Sequence, residues 1–430
     1  MNIYIFIEIK KRELSSRMLL AFESAFRGND VYIGDLEPYF KKNLFKPGVV
    51  HFKSLPPVES RVAELKNLKS KNFICTSQDE ESGHINDNPK EYISSRYSKK
   101  TIKYIDAIFT WGKFDYDNLN RIYPQFKKKL INTGNPRIDF WRSDFSSFYN
   151  KKKKNFILIS SNFETVCGHR NLGKTILWLR NLGYFNRGMS SAEIIDRAAK
   201  EHIIFNHFVK LIKKISVIYK NKKILFRPHP IEKVEDWKSI FFENKNVIVN
   251  NSDEIGHSIS SASVIIHNGC AGGLEASLRK KKVIAFIPES LNIGHKIPNE
   301  TSIIAKSANQ VLSHLKSERM KKMNESVKKK INSRLINYFG KKSYIQIVNH
   351  WELLGKNLPR AANNKGKLIL LTNLLKFKLK INKYKNISNK FSDFNKKEIE
   401  ELKKNFVNYD KRFKKIKIEY LSNKLLRIHI

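Results

Sequence analysis

The sequence has little cysteine, few acidic residues for its number of basic ones, and no long apolar run. Three cysteines, Cys75, Cys167 and Cys270, are too few and too scattered for a disulfide framework or a zinc site, so we expect a reducing, cytoplasmic compartment. No predominantly apolar stretch approaches the ~18 residues that a membrane-spanning helix needs. The opening MNIYIFIEIKKREL lacks a preceding basic segment and predicts a β-strand rather than a signal peptide. Membrane contact, if any, is expected to be peripheral, on the inner face of the plasma membrane.

The shortage of acids leaves a formal charge of +42, from 82 Lys and Arg against 40 Asp and Glu. A charge of this size attracts polyanions. Residues 351–430 hold 21 basic and 7 acidic residues, about twice the basic excess per residue of the rest. Two interpretations stay open, a solvated lysine-rich surface and an anionic membrane surface. Nucleic acid is not expected, because no zinc-finger spacing or aromatic RNA-binding signature accompanies the charge.

The chain is too long, at 430 residues, for one ordinary core, and its 41% apolar content is enough for globular domains. Short branched runs alternate with helical patterns, which predicts βαβ units and parallel sheets. We predict an α/β fold with two Rossmann-like domains facing a cleft, and a basic, partly helical C-terminal tail. The predicted boundaries are 1–145 for the first domain, 155–345 for the second, and 346–430 for a crossing helix and tail.

In the second domain, two motifs follow predicted strands. FRPHP offers Arg227, a guanidinium suited to phosphate oxygens, and His229, which the flanking prolines hold rigidly together with Pro230. IIHNGCAGGLEASL, residues 265–278, predicts a glycine-rich turn into a helix, where amides and the helix dipole hold phosphate. Glu275 is either an acid of the first helical turn or an acceptor for ribose hydroxyls. The predicted nucleotide and phosphate contacts are Arg227, His229, Pro230, His267, Asn268, Gly269, Gly272, Gly273 and Glu275.

In the first domain, the stretch SQDEESGH places three adjacent acids, Asp79, Glu80 and Glu81, directly after a predicted strand. They form either a solvated acidic loop or a catalytic carboxylate with neighbours that adjust its pKa. The segment GNPRID adds a turn that begins a helix. EIKKREL places five charges at the end of the first strand. Further candidates for the cleft are Glu8, Arg12, Asn135 and Arg137.

The motifs REL-x-SR-x-LLA, RG-x-x-VYIGD, DEE-x-G, TWG, GNPRID, RPHP and HNGCAGGLEA occur in this order along the chain. Together they resemble bacterial surface carbohydrate biosynthesis proteins related to the β-Kdo transferases of capsule and lipopolysaccharide assembly. The resemblance covers about residues 1 to 345. One departure is Ser82, which stands between the acids and the glycine.

The resemblance implies a metal-independent glycosyltransferase of GT-B architecture, without a resident cofactor, that uses a nucleotide-sugar donor. It implies that His229 and Pro230 contact the nucleotide phosphate of a CMP-linked, Kdo-like sugar, that Glu275 and the glycine-rich turn hold phosphate and ribose, and that Asp79, Glu80 or Glu81 is catalytic. The acceptor implied is a glycan or glycolipid.

Three alternatives remain from the sequence. CDP-glycerol-type polyol-phosphate transferases also carry RPHP-like loops in two α/β domains, and a nucleotide-sugar epimerase could share the same architecture. A basic protein that binds anionic polymer would need none of these motifs, and its binding would depend strongly on salt.

Overall fold

The computed structural model describes residues 1–81, 88–149, 155–181, 183–185, 189–358 and 392–430. These residues form two compact units. The first takes in the described parts of Met1–His84, Asn88–Phe148 and Ile331–Ile430, and the second takes in those of Tyr149–Lys330. Three predicted features extend beyond the described residues: 82–84 of the acidic motif, 150–154 of the segment between the domains, and 359–391 of the tail.

The first unit is built on an eight-stranded sheet with the order β13-β14-β2-β1-β3-β4-β5-β6, numbered along the chain. Its strands are β1 (Asn2–Phe6), β2 (Asp30–Gly34), β3 (Val49–Phe52), β4 (Ile74–Ser77), β5 (Ala107–Thr110), β6 (Leu130–Asn132), β13 (Lys417–Ser422) and β14 (Leu425–His429). Strands β1 to β6 pair in parallel. They read as short apolar runs because helices cover both faces of such a sheet.

The helices of the first unit are mostly short, apart from the one that follows β1. They are α1 (Lys10–Phe26), α2 (Glu37–Lys41), α3 (Glu59–Ser70), α4 (Pro89–Arg96), α5 (Lys99–Ile102), α6 (Lys113–Ile122), α7 (Pro136–Asp139), α17 (Ile336–Phe339), α18 (Ser343–Leu354) and α19 (Lys396–Tyr409), and α16 (Glu325–Arg334) enters the unit. An aromatic cluster around Tyr4 forms part of the core.

The second unit is built on a six-stranded sheet, all parallel, with the order β12-β11-β10-β7-β8-β9. Its strands are β7 (Phe156–Ser160), β8 (Ile224–Arg227), β9 (Val247–Val249), β10 (Ala262–His267), β11 (Lys282–Phe286) and β12 (Ile303–Ala305). Its helices are α8 (Glu164–Cys167), α9 (Leu172–Asn181), α10 (Ser191–Ile218), α11 (Val234–Ile240), α12 (Ile255–Ser261), α13 (Ala271–Leu278), α14 (Lys296–Glu300) and α15 (Ala308–Lys316). The predicted α/β class with parallel sheets is confirmed.

The C-terminal region corrects the predicted boundary at 345. Strand β14 pairs antiparallel with β2, and β13 pairs with β14, so these residues extend the first sheet. Phe406 of α19 packs against Phe22 of α1, with ring centroids 4.8 Å apart and ring planes tilted by 44°. The buried carboxylate of Asp139 accepts hydrogen bonds from Asn337 and from the first two amides of α18. The described part of the predicted tail is therefore integral to the first unit.

The start of the chain differs from the prediction in one respect. The predicted first strand ends at Phe6, and helix α1 already begins at Lys10, so EIKKREL runs into a helix rather than ending the strand. The charges of EIKKREL are thus mostly in the first turn of a buried helix. All three cysteines are buried thiols. Within the described ranges, no helix combines the length and apolar character that crossing a bilayer requires.

Candidate functional site

Five of the predicted first-unit residues, Glu8, Arg12, Asp79, Glu80 and Glu81, lie after the carboxyl ends of β1 and β4. Arg12, in the first turn of α1, pairs with Glu81 at 2.8 Å. Glu8 pairs instead with Lys53, which follows β3, at 2.6 Å. Glu81 also pairs with Arg96 of α4. Burial raises the pKa of Glu81, but Arg12 and Arg96 outweigh burial and lower it to about 2.

Asp79 occupies a different environment from Glu81. Its Oδ1 accepts hydrogen bonds from the Tyr92 hydroxyl at 2.6 Å and from the Glu81 amide at 2.8 Å. Its Oδ2 is buried without a hydrogen-bond partner among the described residues, 3.9 Å from the Arg96 guanidinium. Burial raises the pKa of Asp79, although Arg96 and Tyr92 oppose the increase. Asp79 therefore combines a fixed position with a buried oxygen that has no hydrogen-bond partner among the described residues.

Glu80 is held by a residue that the sequence analysis did not select. Arg17 of α1 is 1% exposed, and its guanidinium lies 2.7 Å from Oε1 of Glu80, which is 3% exposed. Glu13, also in α1 and wholly buried, accepts a hydrogen bond from the Glu8 amide. Glu13 and Arg17 lie one turn apart among buried apolar residues of the same helix. This spacing could have revealed the two residues from the sequence, because charged residues on the apolar face of a helix indicate a buried polar site.

We call these residues, Glu8, Arg12, Glu13, Arg17, Asp79, Glu80 and Glu81, the acidic cluster. Several of its buried polar atoms have no hydrogen-bond partner in the part of the chain that the structure describes: Arg17 Nε and Nη1, Glu13 Oε1, Asp79 Oδ2 and Glu80 Oε2. Native proteins rarely leave such atoms unsatisfied, except where a site binds water, ions or ligands. The cluster is thus a candidate site rather than a solvated acidic loop.

The GNPRID segment has a structural role in this unit. The Asn135 side chain is buried, and its Oδ1 caps α7 by accepting a hydrogen bond from the Arg137 amide at 2.8 Å. The Arg137 guanidinium lies over the Trp141 ring. Gln78, directly before the acids, donates a hydrogen bond to the Gly134 carbonyl at 2.6 Å. The segment therefore supports the acidic cluster from the end of β6. The Asn135 side chain has a structural role as a helix cap, and its contact with a ligand stays a prediction.

In the second unit, the RPHP loop follows β8 as predicted. His229 and Pro230 are exposed, and His229 Nδ1 accepts a hydrogen bond from the Ile231 amide at 3.3 Å. The neutral imidazole then carries its proton on Nε2, which gives the ring an N–H donor. Arg227 is half-buried, and no described side chain forms a hydrogen bond or ion pair with its guanidinium. Burial lowers the pKa of Arg227 to about 10, although Asp253, Glu275 and Glu254 oppose the decrease.

The RPHP loop is anchored by Glu232, a residue that the sequence analysis missed. Its buried carboxylate accepts hydrogen bonds from Ser161 at 2.7 Å, the Phe163 amide at 2.8 Å and Trp237 at 2.6 Å. Its own amide donates to the His229 carbonyl at 2.8 Å. The loop after β8 is thereby fixed to the loop after β7.

Glu232 should make the stability of the second unit depend on pH. Burial raises its pKa to about 7, from an ordinary value of 4.5. The folded-state pKa of Glu232 lies above its unfolded-state value, so the folded protein is favoured when this carboxyl group is protonated. The contribution of the protonated group to stability is complete below about pH 4.5 and is lost as pH rises through about 7. We expect the free energy of unfolding to fall by up to about 3 kcal/mol between about pH 5 and 8 from this group.

Urea unfolding at both pH values measures this slope. Glu232→Gln should remove it, whereas Ser161→Ala, which deletes one donor and keeps the carboxyl group, should retain it. An unchanged slope in Glu232→Gln would show that another group titrates.

The three glycines of the turn after β10 are required by contacts within the protein. Gly269 has φ +88°, and a Cβ there would lie 2.7 Å from the Cα of Gly294. A Cβ on Gly272 would meet the Ile255 side chain at 2.5 Å, and one on Gly273 would meet the His267 ring at 2.4 Å. All three glycines thus admit other parts of the protein, not a ligand, at the positions of their missing side chains.

The buried His267 side chain holds this turn in place. Its ring is wholly buried, its Nδ1 accepts a hydrogen bond from the Gly269 amide at 2.9 Å, and its Nε2 lies 2.9 Å from the Ser302 hydroxyl. Burial lowers its pKa to about 3, so the ring is neutral. A direct phosphate contact by the His267 side chain, as predicted, does not fit this geometry.

Asn268 and Glu275 are both buried. The Asn268 amide lies 3.4 Å from the Asn162 carbonyl, and its Oδ1 has no hydrogen-bond partner among the described residues. Glu275 is in the second turn of α13, not in the first as predicted, and pairs with Arg279 at 3.1 Å. A role as ribose acceptor would require it to leave or share this ion pair.

The structure nevertheless brings the two second-unit motifs into one region. Strand β7 lies between β8 and β10, and the three carboxyl ends carry the RPHP loop, Ser160–Ser161 and the glycine-rich turn. The effect of Glu275 on the pKa of Arg227 places their charges within electrostatic range. We call Arg227, His229, Pro230, Asn268 and the turn 269–273 the anion site. Among the described residues, no group of three or more His, Cys, Asp or Glu is arranged to hold a metal ion.

No protein-family model and no curated protein sequence matches the chain. Solved structures of similar fold include UDP-GlcNAc 2-epimerase from Methanocaldococcus jannaschii, which is 14% identical with a TM-score of 0.45 over 81% of this chain and 100% of that one. A putative UDP-N-acetylglucosamine 2-epimerase from Listeria monocytogenes is 11% identical, with a TM-score of 0.48 over 84% and 98% of the two chains. The wall teichoic acid polymerase TagF is 9% identical, with a TM-score of 0.49 over 83% and 89%. At these identities the similarity concerns the fold alone.

Proposed function

We propose that the protein is a metal-independent glycosyltransferase of bacterial surface polysaccharide biosynthesis. Its donor is a CMP-linked, Kdo-like sugar, and its acceptor is a glycan or glycolipid. The observation that carries this proposal is Arg227, a half-buried cation that no described side chain pairs. A buried cation without a partner is costly unless an anion binds it.

The donor phosphate supplies such an anion. Arg227 gives a fixed fork of N–H groups to the phosphate oxygens. His229 adds an N–H donor from a loop that Glu232 holds in place. Together they would stabilise the charge that develops on the phosphate when the bond between sugar and phosphate breaks.

The acceptor hydroxyl must lose a proton as it attacks the sugar, and we assign this proton to Asp79. Glu81 is too weak a base, because two arginines lower its pKa to about 2. Glu80 also has an oxygen without a hydrogen-bond partner, but its other oxygen lies 2.7 Å from the Arg17 guanidinium, whereas Asp79 is 3.9 Å from Arg96. Asp79 retains an oxygen without a hydrogen-bond partner, and burial raises its pKa toward the range that general-base catalysis favours. The electron pair of the broken bond leaves with the CMP phosphate.

Release of CMP from a CMP-Kdo donor in the presence of a lipid or glycan acceptor tests the function. Asp79→Asn should lower the rate by about 100-fold or more and leave nucleotide affinity within about two-fold. Asp117→Asn, an exposed acid of α6, is the matched control and should retain full rate.

A larger loss in the amide variants of Glu80 or Glu81 than in Asp79→Asn would move the catalytic role but keep the function. Conversion of UDP-GlcNAc without an acceptor, or transfer of glycerol phosphate from CDP-glycerol, would overturn the function itself.

A further inference from the structure

Two turns at the amino ends of β8 and β9 expose apolar side chains. Phe242 is 84% exposed and Val217 is 72% exposed. Ile218, next to Val217, and Ile248, in β9 itself, are also exposed. The first two follow α11 and end α10, respectively. Side chains of this size seldom remain exposed on a surface that meets only water, unless they stand alone.

These side chains belong to segments that are fixed to each other. Asn244, two residues after Phe242, donates a hydrogen bond to the Ser216 hydroxyl at 3.2 Å. Asn246 donates to the carbonyls of Ser216 and Tyr219 at 3.1 and 3.2 Å and so caps the end of α10. The turn before β9 is therefore held against the turn before β8, at the free edge of the sheet.

The same segments carry exposed lysines, Lys213, Lys220, Lys223 and Lys245. Glu243 is the exposed acid next to Phe242. An apolar centre with a collar of lysines complements an anionic lipid surface, where acyl chains accept the apolar groups and headgroups attract the ammonium groups. Self-association through this face would instead bring two lysine collars together.

We propose that this surface, the lysine-collared patch of Val217, Ile218, Phe242, Ile248 and the four lysines, docks the protein on an anionic lipid bilayer. Because β8 and β9 are parallel to the rest of the sheet, the patch lies at the amino ends of the strands. The anion site lies at the carboxyl ends of these strands, which is the opposite end of the same sheet. A docked second unit would keep its anion site open to water-borne nucleotide. The proposal does not depend on the donor chemistry.

Co-sedimentation of the full chain with phosphatidylcholine vesicles, with and without phosphatidylglycerol, tests the patch. We expect binding only with phosphatidylglycerol. Replacing Lys220, Lys223 and Lys245 together by glutamine should weaken it roughly 10- to 100-fold, and Phe242→Ser should weaken it about 10-fold.

The matched controls are glutamine at the exposed Lys41, Lys100 and Lys113, and Phe339→Ser, all in the first unit. Controls that change binding less than about two-fold would support the patch. Equal losses in control and patch variants would show that diffuse charge binds the lipid, and so overturn the proposal. The proposal is also overturned if Phe242→Ser leaves vesicle binding unchanged, or if the protein never binds vesicles and Phe242→Ser abolishes a dimer.

Discussion

Arg17→Met should destabilise the first unit by about 3–5 kcal/mol, because it leaves the buried Glu80 carboxylate without its cation. The two side chains are 1% and 3% exposed, and their charged groups are 2.7 Å apart. Few other single substitutions in the described residues would strand a charge so completely. Urea unfolding followed by tryptophan fluorescence measures the loss, and replacing Trp178 and Trp237 of the second unit by Phe in all variants restricts the signal to the first unit.

The double variant Arg17→Met, Glu80→Gln distinguishes the cost of an unpaired Glu80 charge from the cost of lost packing around Arg17. It should be less destabilised than Arg17→Met alone, because the stranded charge is gone. Lys113→Met breaks the exposed pair with Asp117 and should cost less than about 1 kcal/mol. A loss below about 1 kcal/mol in Arg17→Met would contradict the buried pair.

Arg227→Met should have the opposite profile, with a large loss of ligand binding and no loss of stability. A hydrogen bond to a charged phosphate is worth about 1.5–3 kcal/mol, so nucleotide affinity should fall roughly 10- to 150-fold. Stability should stay equal or rise, because the variant removes a half-buried cation that no described side chain pairs. Arg180→Met, an exposed arginine of α9, is the control in the same unit.

Calorimetric titration with CMP and thermal unfolding of each variant measure both effects. A destabilised Arg227→Met with unchanged CMP affinity would mean that Arg227 is structural.

The sequence was sufficient to predict the parallel strands because strands buried on both faces read as short apolar runs. It did not predict β13 and β14, since a lysine-rich setting hides strands that gain their burial only by pairing with β2. That residues 10–13 form the first turn of α1 was not predicted, for a related reason. Its charges look solvated in sequence, but Glu13 is paired within the acidic cluster, and only the fold reveals the partner.

The position of the candidate site could be predicted, because its motifs directly follow predicted strands. Because parallel strands end at one edge of a sheet, motifs after β8 and β10 had to lie near each other. The roles of single residues were not accessible in the same way. A glycine indicates close approach but not what approaches, which proved to be Ile255 at Gly272 and the His267 ring at Gly273. Glu232 carries no motif of its own, and its role depends on partners far along the chain.

The central claim is that the second unit binds the nucleotide of a CMP-linked donor at the anion site. Calorimetric titration of the full chain with CMP, CDP and UDP tests it most directly. We expect CMP to bind more tightly than UDP, and Arg227→Met to weaken CMP binding. Binding of UDP without CMP, or CMP binding that Arg227→Met and His229→Ala leave unchanged, would contradict it.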